Sequence, residues 1–243
     1  LARQIYERRI DQPAPFAGYE ILAKPIQMEK WGKLWKNAAA QGPRKIVFSF
    51  WNSKNDGLRA VLQGFQWDEI FSQLAQGGKS LDEISDELFM EFGLDLGEWL
   101  LGQWDAYDRR LELLGNVSAC HWDQSKEMFS FLRNGKPLSG SRKQGFWVNW
   151  SFGPGDKLVL FNSEAFESPG GGGLDAFMGL LSKNIKSTPQ NLLDLLVREV
   201  EEGKTLAPGA SLLLMVHAPG PIAAADANTV IKKSVGAQDP VAR

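Results

Sequence analysis

Few side chains in this chain are of the kind that catalyse, and fewer are spaced to act together. Two histidines occur, His121 and His217, and neither has an acidic or histidine partner four residues on to place two metal ligands on one helix face. The single cysteine, Cys120, lies in a strand-like segment and reads as a small buried hydrophobe rather than a nucleophile. One cysteine also excludes an internal disulfide and a cysteine-based zinc site. No Gly-x-Ser-x-Gly elbow is present, and Gly170 to Gly173 lacks the Lys-Ser/Thr ending of a phosphate-binding loop. Among carboxylate pairs, Asp82 and Asp86 read as the solvated face of a helix and Asp108 as a turn residue. Glu164 and Glu167 follow a strand end and are the one pair placed as a site would be. Such a group needs further oxygen ligands before it holds a divalent cation.

The elements that would position these residues alternate between β-rich and helical stretches. Tyr19 to Gln27 and Lys45 to Trp51 read as strands. The turn Asn52 to Gly57 feeds a helix carrying Leu58, Val61, Leu62, Phe65, Ile70, Phe71 and Leu74, which Gly77-Gly78 ends. Ser80 and Glu83 form a capping box for a second helix. Strand patterns follow at Glu98 to Tyr107, Leu111 to Ala119, Met128 to Leu132 and Phe146 to Phe152. Asn134-Gly135 and Gly153 to Asp156 read as turns, and Lys157 to Phe161 as a further strand. Two helices, Leu174 to Leu181 and one opened by Thr188-Pro189, precede a last strand at Ala210 to Val216. Strands grouped apart from helices give an α+β domain.

The hydrophobic fraction of 43% is enough for a sizeable core, and the net charge of −2 offers no global attraction to nucleic acid or anionic lipid. No apolar run approaches the roughly 18 residues that span a bilayer. Leu1 is followed by Arg3, Glu7, Arg8 and Arg9 rather than by a secretory signal, so a cytoplasmic location is expected. The lack of an initiator Met points to a fragment with further domains upstream. Most of the nine Trp residues suit core packing, while Trp31, Trp35, Trp147 and Trp150 sit beside Gly, Lys and Asn and are candidates for an exposed binding surface.

Taken in order, these landmarks give a family likeness. After GYEILAKPIQ comes WGK at 31–33, then NSKNDGLRA at 52–60, NVSACH at 116–121, GDKLVLFNSEAFE at 155–167 and GASLLLMV at 209–216. Over residues 3–217 the chain resembles the PPM-type serine/threonine phosphatases of the stage II sporulation protein E-like branch. Their counterparts read Gly-Gly-Asp, Asp-x-x-Gly-x-Gly-x-x-Ala, Asn-Ala-Gly-His, Gly-Asp-x-Leu running to Thr-Asp-Gly, and Asp-Asp-x-Thr. The resemblance implies a four-layer α-β-β-α sandwich of two antiparallel sheets flanked by helix pairs, covering residues 1–217. Residues 218–243 are expected to be an Ala/Pro/Gly-rich tail.

The chemistry departs from that pattern. Active members hold two Mg²⁺ or Mn²⁺ ions on aspartates, and a bridging water attacks the phosphoester. The matching positions here are Lys33, Asn52, Ser163 and Gly209/Ala210. A cation repels metal, Asn loses the charge, Ser is a poor ligand, and Gly and Ala offer none. The resemblance therefore implies a domain with no catalytic residue, no metal site and no cofactor. Such a domain would act by binding a protein partner or other domains of its own chain, with no role for nucleic acid or membrane insertion. The alternative is a Mn- or Mg-dependent phosphatase with its site moved to Asp156, Glu164 and Glu167. A third reading is a peptide or ligand surface built on the four Trp residues.

Overall fold

The structure, a computed structural model, describes residues 14–16, 19–25, 34–42, 44–93, 97–105, 107–132, 146–161, 173–202 and 212–217. Its elements in chain order are strands β1 (Ala14–Phe16), β2 (Tyr19–Pro25), β3 (Leu34–Gln41) and β4 (Lys45–Asn52), then helices α1 (Gly57–Gln76) and α2 (Leu81–Phe92). Six strands follow: β5 (Glu98–Asp105), β6 (Arg110–Gly115), β7 (Ser118–Asp123), β8 (Met128–Leu132), β9 (Phe146–Ser151) and β10 (Lys157–Phe161). Helices α3 (Gly173–Asn184) and α4 (Pro189–Glu201) and strand β11 (Leu212–His217) complete it. One sheet has the order β1-β2-β11-β10-β7-β8, the other β3-β4-β5-β6-β9. Every pairing is antiparallel. The expected α-β-β-α sandwich is the observed architecture; the expected tail lies outside the described residues.

Strand periodicity sorts the side chains into layers. On β4, Val47, Ser49 and Trp51 face α1 and α2, while Ile46, Phe48 and Phe50 enter the space between the sheets. A row of tryptophans crosses the second sheet: Trp35 of β3 pairs with Trp51 of β4, which pairs with Trp99 of β5. The helices close on this row. Trp67 of α1 stacks on Trp51 at 5.1 Å and donates its indole N–H to Ser49 Oγ at 3.1 Å. Phe89 of α2 meets Trp99 edge-on at 5.2 Å. On the other side, Cys120, Trp122, Val159 and Phe161 pack against Phe177 and Leu181 of α3 and Leu192, Leu193 and Leu196 of α4. The Lys157 ammonium is buried beneath the C-terminal end of α3, donating to the carbonyls of Ile185 and Ser187. Burial lowers its pKa, while the carbonyl dipoles at the helix end favour a cation there.

Three expectations change, and one strand is unforeseen. Leu34–Gln41 (LWKNAAAQ) has no strand propensity to speak of, yet it is a strand along its whole length because β4 offers it a complete ladder. Leu111 to Ala119 is two strands in different sheets, broken at Asn116 and Val117. Trp35 belongs to the core and not to an exposed surface: it is 0% exposed, with Gly64 directly above its ring. On α1, Leu58, Leu62 and Phe65 are exposed, and the buried face is Ala60, Val61, Gly64, Trp67, Asp68, Phe71 and Ala75. Small residues at 60, 64 and 75 bring the helix axis close to a sheet already filled by indoles. The Ser80–Glu83 capping box of α2 is present as expected. The Asn134-Gly135 turn lies outside the described residues.

A Cβ at position 64 would stand 1.7 Å from Trp35 Cε2, and that ring has nowhere to go. Gly64→Ala should therefore lower the unfolding free energy by about 2–3 kcal/mol in urea denaturation. Adding Trp35→Leu should cost less in the Gly64→Ala background than in the wild type, and strict additivity would count against this packing.

Candidate functional site

The topology gathers one set of strand ends. Asn52 closes β4 and pairs with Glu98, the first residue of β5, and with Leu34, the first residue of β3. Leu100 pairs with Gly115 at the end of β6, and after Asn116 and Val117 the chain enters the other sheet at Ser118. Ser118 pairs with Phe161, the last residue of β10, and Phe161 with Leu213, the second residue of β11. The ends of β4, β6 and β10 and the starts of β3, β5, β7 and β11 therefore lie at one end of the sandwich. Lys33, Ser163, Gly209 and Ala210 adjoin these strand ends in sequence but lie outside the described residues, as do Glu164, Glu167 and Trp31. Asn52 is the described member of the set.

Because Trp51 and Trp99 face the helices, their neighbours Asn52 and Glu98 take the opposite face. Asn52 is 9% exposed, and its Nδ2 donates to Glu98 Oε2 at 3.2 Å. The backbone around this contact is tied by Asn116. Its Oδ1 accepts from the Trp99 N–H at 2.7 Å, its Nδ2 donates to the Gly97 carbonyl at 2.9 Å, and its own N–H donates to the Trp99 carbonyl. Gly97 has φ +84, and a Cβ there would lie 2.6 Å from the Asn52 carbonyl oxygen, so the position needs glycine on both counts. Glu98 is the residue that motif reading passes over, whereas Asn116 opens the NVSACH landmark at 116–121.

Position 52 offers a divalent ion a neutral amide oxygen in place of a carboxylate, and the Asn52 amide nitrogen donates to Glu98. Among the described residues, no three His, Cys, Asp or Glu side chains converge as a metal group.

Asp156 serves elsewhere. It precedes β10, at the opposite end of that strand from Phe161, beyond which Glu164 and Glu167 follow in sequence. Its Oδ2 accepts from the Gly153 N–H at 2.8 Å and lies 3.2 Å from His121 Nε2, and its Oδ1 accepts from the Gln124 N–H at 2.9 Å. The carboxylate is 4% exposed and His121 3%, the imidazole stacked on Trp150 at 5.0 Å and beside Phe152. Asp156 is thus the internal anchor of the 153–156 turn, not part of an open acidic site. Cys120 is buried and its thiol is pushed up to about 12 by desolvation, which rules it out as a thiolate near neutral pH. The three described tryptophans of the candidate surface, Trp35, Trp147 and Trp150, do not share a face either. Trp147 is 44% exposed on β9, whereas Trp150, three residues on, turns inward onto His121. Trp35 lies in β3, at the far edge of the sheet from β9.

Known structures share this fold. The RsbU and RsbW domains of Rv1364c from Mycobacterium tuberculosis superpose with a TM-score of 0.65 at 16% identity, covering 84% of this chain and 61% of that one. The PP2C phosphatase domain of SpoIIE from Bacillus subtilis, with a fragment of its regulatory domain, gives a TM-score of 0.64 at 16% identity, covering 86% and 64%. The SiaA PP2C domain of Pseudomonas aeruginosa gives 0.59 at 15% identity, covering 82% and 85%. The chain thus spans less than two thirds of the first two. No family model matches the chain, and no curated protein does. At these identities the likeness establishes the fold, which is that of PP2C-type phosphatase domains.

Asn52→Asp would set a second carboxylate against Glu98. The like charges raise the pKa of the pair in the folded state, so the folded form binds more protons and stability falls as pH rises through that raised value. The variant should lose on the order of 1–3 kcal/mol at pH 7, and the gap to wild type should narrow at pH 5 in urea titrations. At the other end, Asp156→Ala strips an acceptor from two backbone N–H groups and His121. It should cost about 2–4 kcal/mol, more than His121→Phe, which keeps the ring against Trp150.

Proposed function

We propose that this chain is a catalytically inactive member of the PPM-type phosphatases. In this reading it serves as a protein-binding or regulatory module in a bacterial phospho-signalling or partner-switching system, in the cytoplasm. The observation that carries the reading is the Asn52–Glu98 contact. At the end of β4, where the family places a metal-binding aspartate, a neutral amide donates to a neighbouring carboxylate. The residues matched to the other metal positions, Lys33, Ser163 and Gly209/Ala210, supply no carboxylate. Likeness to a chain that joins RsbU and RsbW domains, and to a SpoIIE phosphatase domain with a regulatory fragment, supports action on a partner or on a linked domain. No described helix is long and apolar enough to cross a membrane.

The alternative, an active Mn- or Mg-dependent serine/threonine phosphatase, has less support. Asp156 is committed to its turn and His121, which leaves Glu164 and Glu167 as the remaining acids of a moved site.

Calorimetric titration with Mn²⁺ should show no tight two-site binding, and a phosphoserine peptide incubated with Mn²⁺ should be hydrolysed no faster than in buffer. Metal-dependent turnover abolished by Glu164→Ala and Glu167→Ala would establish the alternative instead.

A further inference from the structure

The outer side of the α1–α2 layer collects both apolar side chains and negative charge. Four of the seven large hydrophobics exposed among the described residues lie there: Leu58 at 57%, Leu62 at 61% and Phe65 at 39% on α1, and Met90 at 72% on α2. The three on α1 stand at i, i+4 and i+7 and form one stripe. The sheet-facing side of α1 is complete without them, held by Ala60, Gly64, Trp67, Phe71 and Ala75. Residues 56–92 also hold eight Asp and Glu against two Lys and Arg, whereas the whole chain is close to balanced at 29 and 27. The negative charge of the chain is therefore concentrated on this layer.

Three exposed carboxylates border the apolar stripe. Glu69 follows Phe65 by four residues and so continues the stripe itself. Glu91 of α2 accepts from the Gln66 amide, and Gln66 follows Leu62 by four residues, which puts Glu91 along the flank of the stripe. Glu87, one turn before Glu91, shares that side of α2. The stability of α2 does not call for these two acids. Glu83, Glu87 and Glu91 succeed one another at i, i+4, where like charges destabilise a helix. The last turn of α2 has no basic residue, although its dipole favours one there. Asp82 and Glu83, by contrast, are explained by the first turn and the Ser80 capping box. Arg59, the cation of α1, stands about 10 Å along the axis before Gln66, towards the other end of the helix.

We infer that this surface docks a basic amphipathic helix of a partner protein. The apolar side of that helix lies on Leu58, Leu62 and Phe65, and its Lys or Arg side chains reach Glu69, Glu87 and Glu91. Phe65 is a fixed anchor, held edge-on against the buried ring of Trp35 at 5.3 Å. From Leu58 to Glu69 the surface runs about 16 Å, three turns of such a helix. The charge selects the occupant. Nucleic acid and anionic lipid are repelled by it, and a second copy pairing through the same face would set acid against acid. The inference names a partner class for the binding-module reading and rests on that reading, while the surface itself lies on the side of α1 and α2 away from the sheet.

Fluorescence anisotropy on the full chain tests this, with a fluorescein-labelled helical peptide of Leu, Lys and Ala. Its Leu residues stand at i, i+4 and i+7 and its Lys residues flank them. The wild type should bind this peptide saturably below about 100 μM. The same peptide with Glu for Lys, and a scramble of the same composition, should bind at least about tenfold more weakly. Leu62→Ser should weaken binding about fivefold, and Glu87→Lys with Glu91→Lys about tenfold, with a flatter dependence on salt. Asp175→Lys, the same charge change on α3 in the other helical layer, should leave binding unchanged. The Glu87→Lys, Glu91→Lys variant should also melt no lower than the wild type, because the exchange relieves repulsion and suits the helix end. No saturable binding overturns the inference, as does equal binding of either control peptide or indifference to the Leu62, Glu87 and Glu91 changes. Weakening by Asp175→Lys to the same degree overturns the location, and a lower melting temperature shows that the two acids serve the fold instead. Any of these removes this surface alone, because Mn²⁺ titration and phosphopeptide turnover decide the inactive-phosphatase reading separately.

Discussion

The row formed by Trp35, Trp51 and Trp99 is the constraint on which the helical side of this domain depends. Three indoles at paired positions on adjacent strands make a flat, rigid surface that side-chain repacking cannot easily deform. Helix α1 must therefore present small residues where it crosses Trp35 and a stacking partner where it crosses Trp51. Gly64 and Trp67 meet those two demands. Strand alternation then does the rest. One residue along from Trp51 and Trp99, the chain must face the other way, and Asn52 and Glu98 meet at a strand end because the aromatic row has set the phase of both strands.

The two ends of the sandwich answer to different chemistry. At one, polar side chains hold the backbone: Asn116 spans the start of β5, and Gly97 admits the Asn52 carbonyl. At the other, a buried carboxylate collects two backbone N–H groups and an imidazole beneath Trp150. Both oxygens of the Asp156 carboxylate have partners, which is what allows such a group to sit inside a sandwich without destabilising it.

Local chemistry made much of this visible in advance. Lys45 to Trp51 declared itself by β-branched and aromatic content, α2 by its capping box, and the 153–156 turn by Gly-Pro-Gly-Asp. What stayed hidden was non-local. The Ala-rich β3 is a strand because of its neighbour, and Trp35 is buried because a helix distant in sequence closes over it. The exposed leucines of α1 outrank Ala60 and Gly64 in hydrophobicity, so composition points to the wrong face, and only the bulk of the Trp row reverses it. The Asn52–Glu98 contact joins residues on different strands through register, which no motif spacing encodes. The position of Asn52 was readable from the ordered landmarks; the direction of its amide was not.

The link between the sheets at Asn116 and Val117 has a mechanical meaning. Two residues are too short a tether to let one sheet slide over the other, and towards the far end His121 of β7 stacks on Trp150 of β9, from one sheet to the other. The stacked sheets behave as a single stiff plate. Relative motion within the domain is thereby left to its helices and connecting segments, with the sheets as the fixed reference against which they move.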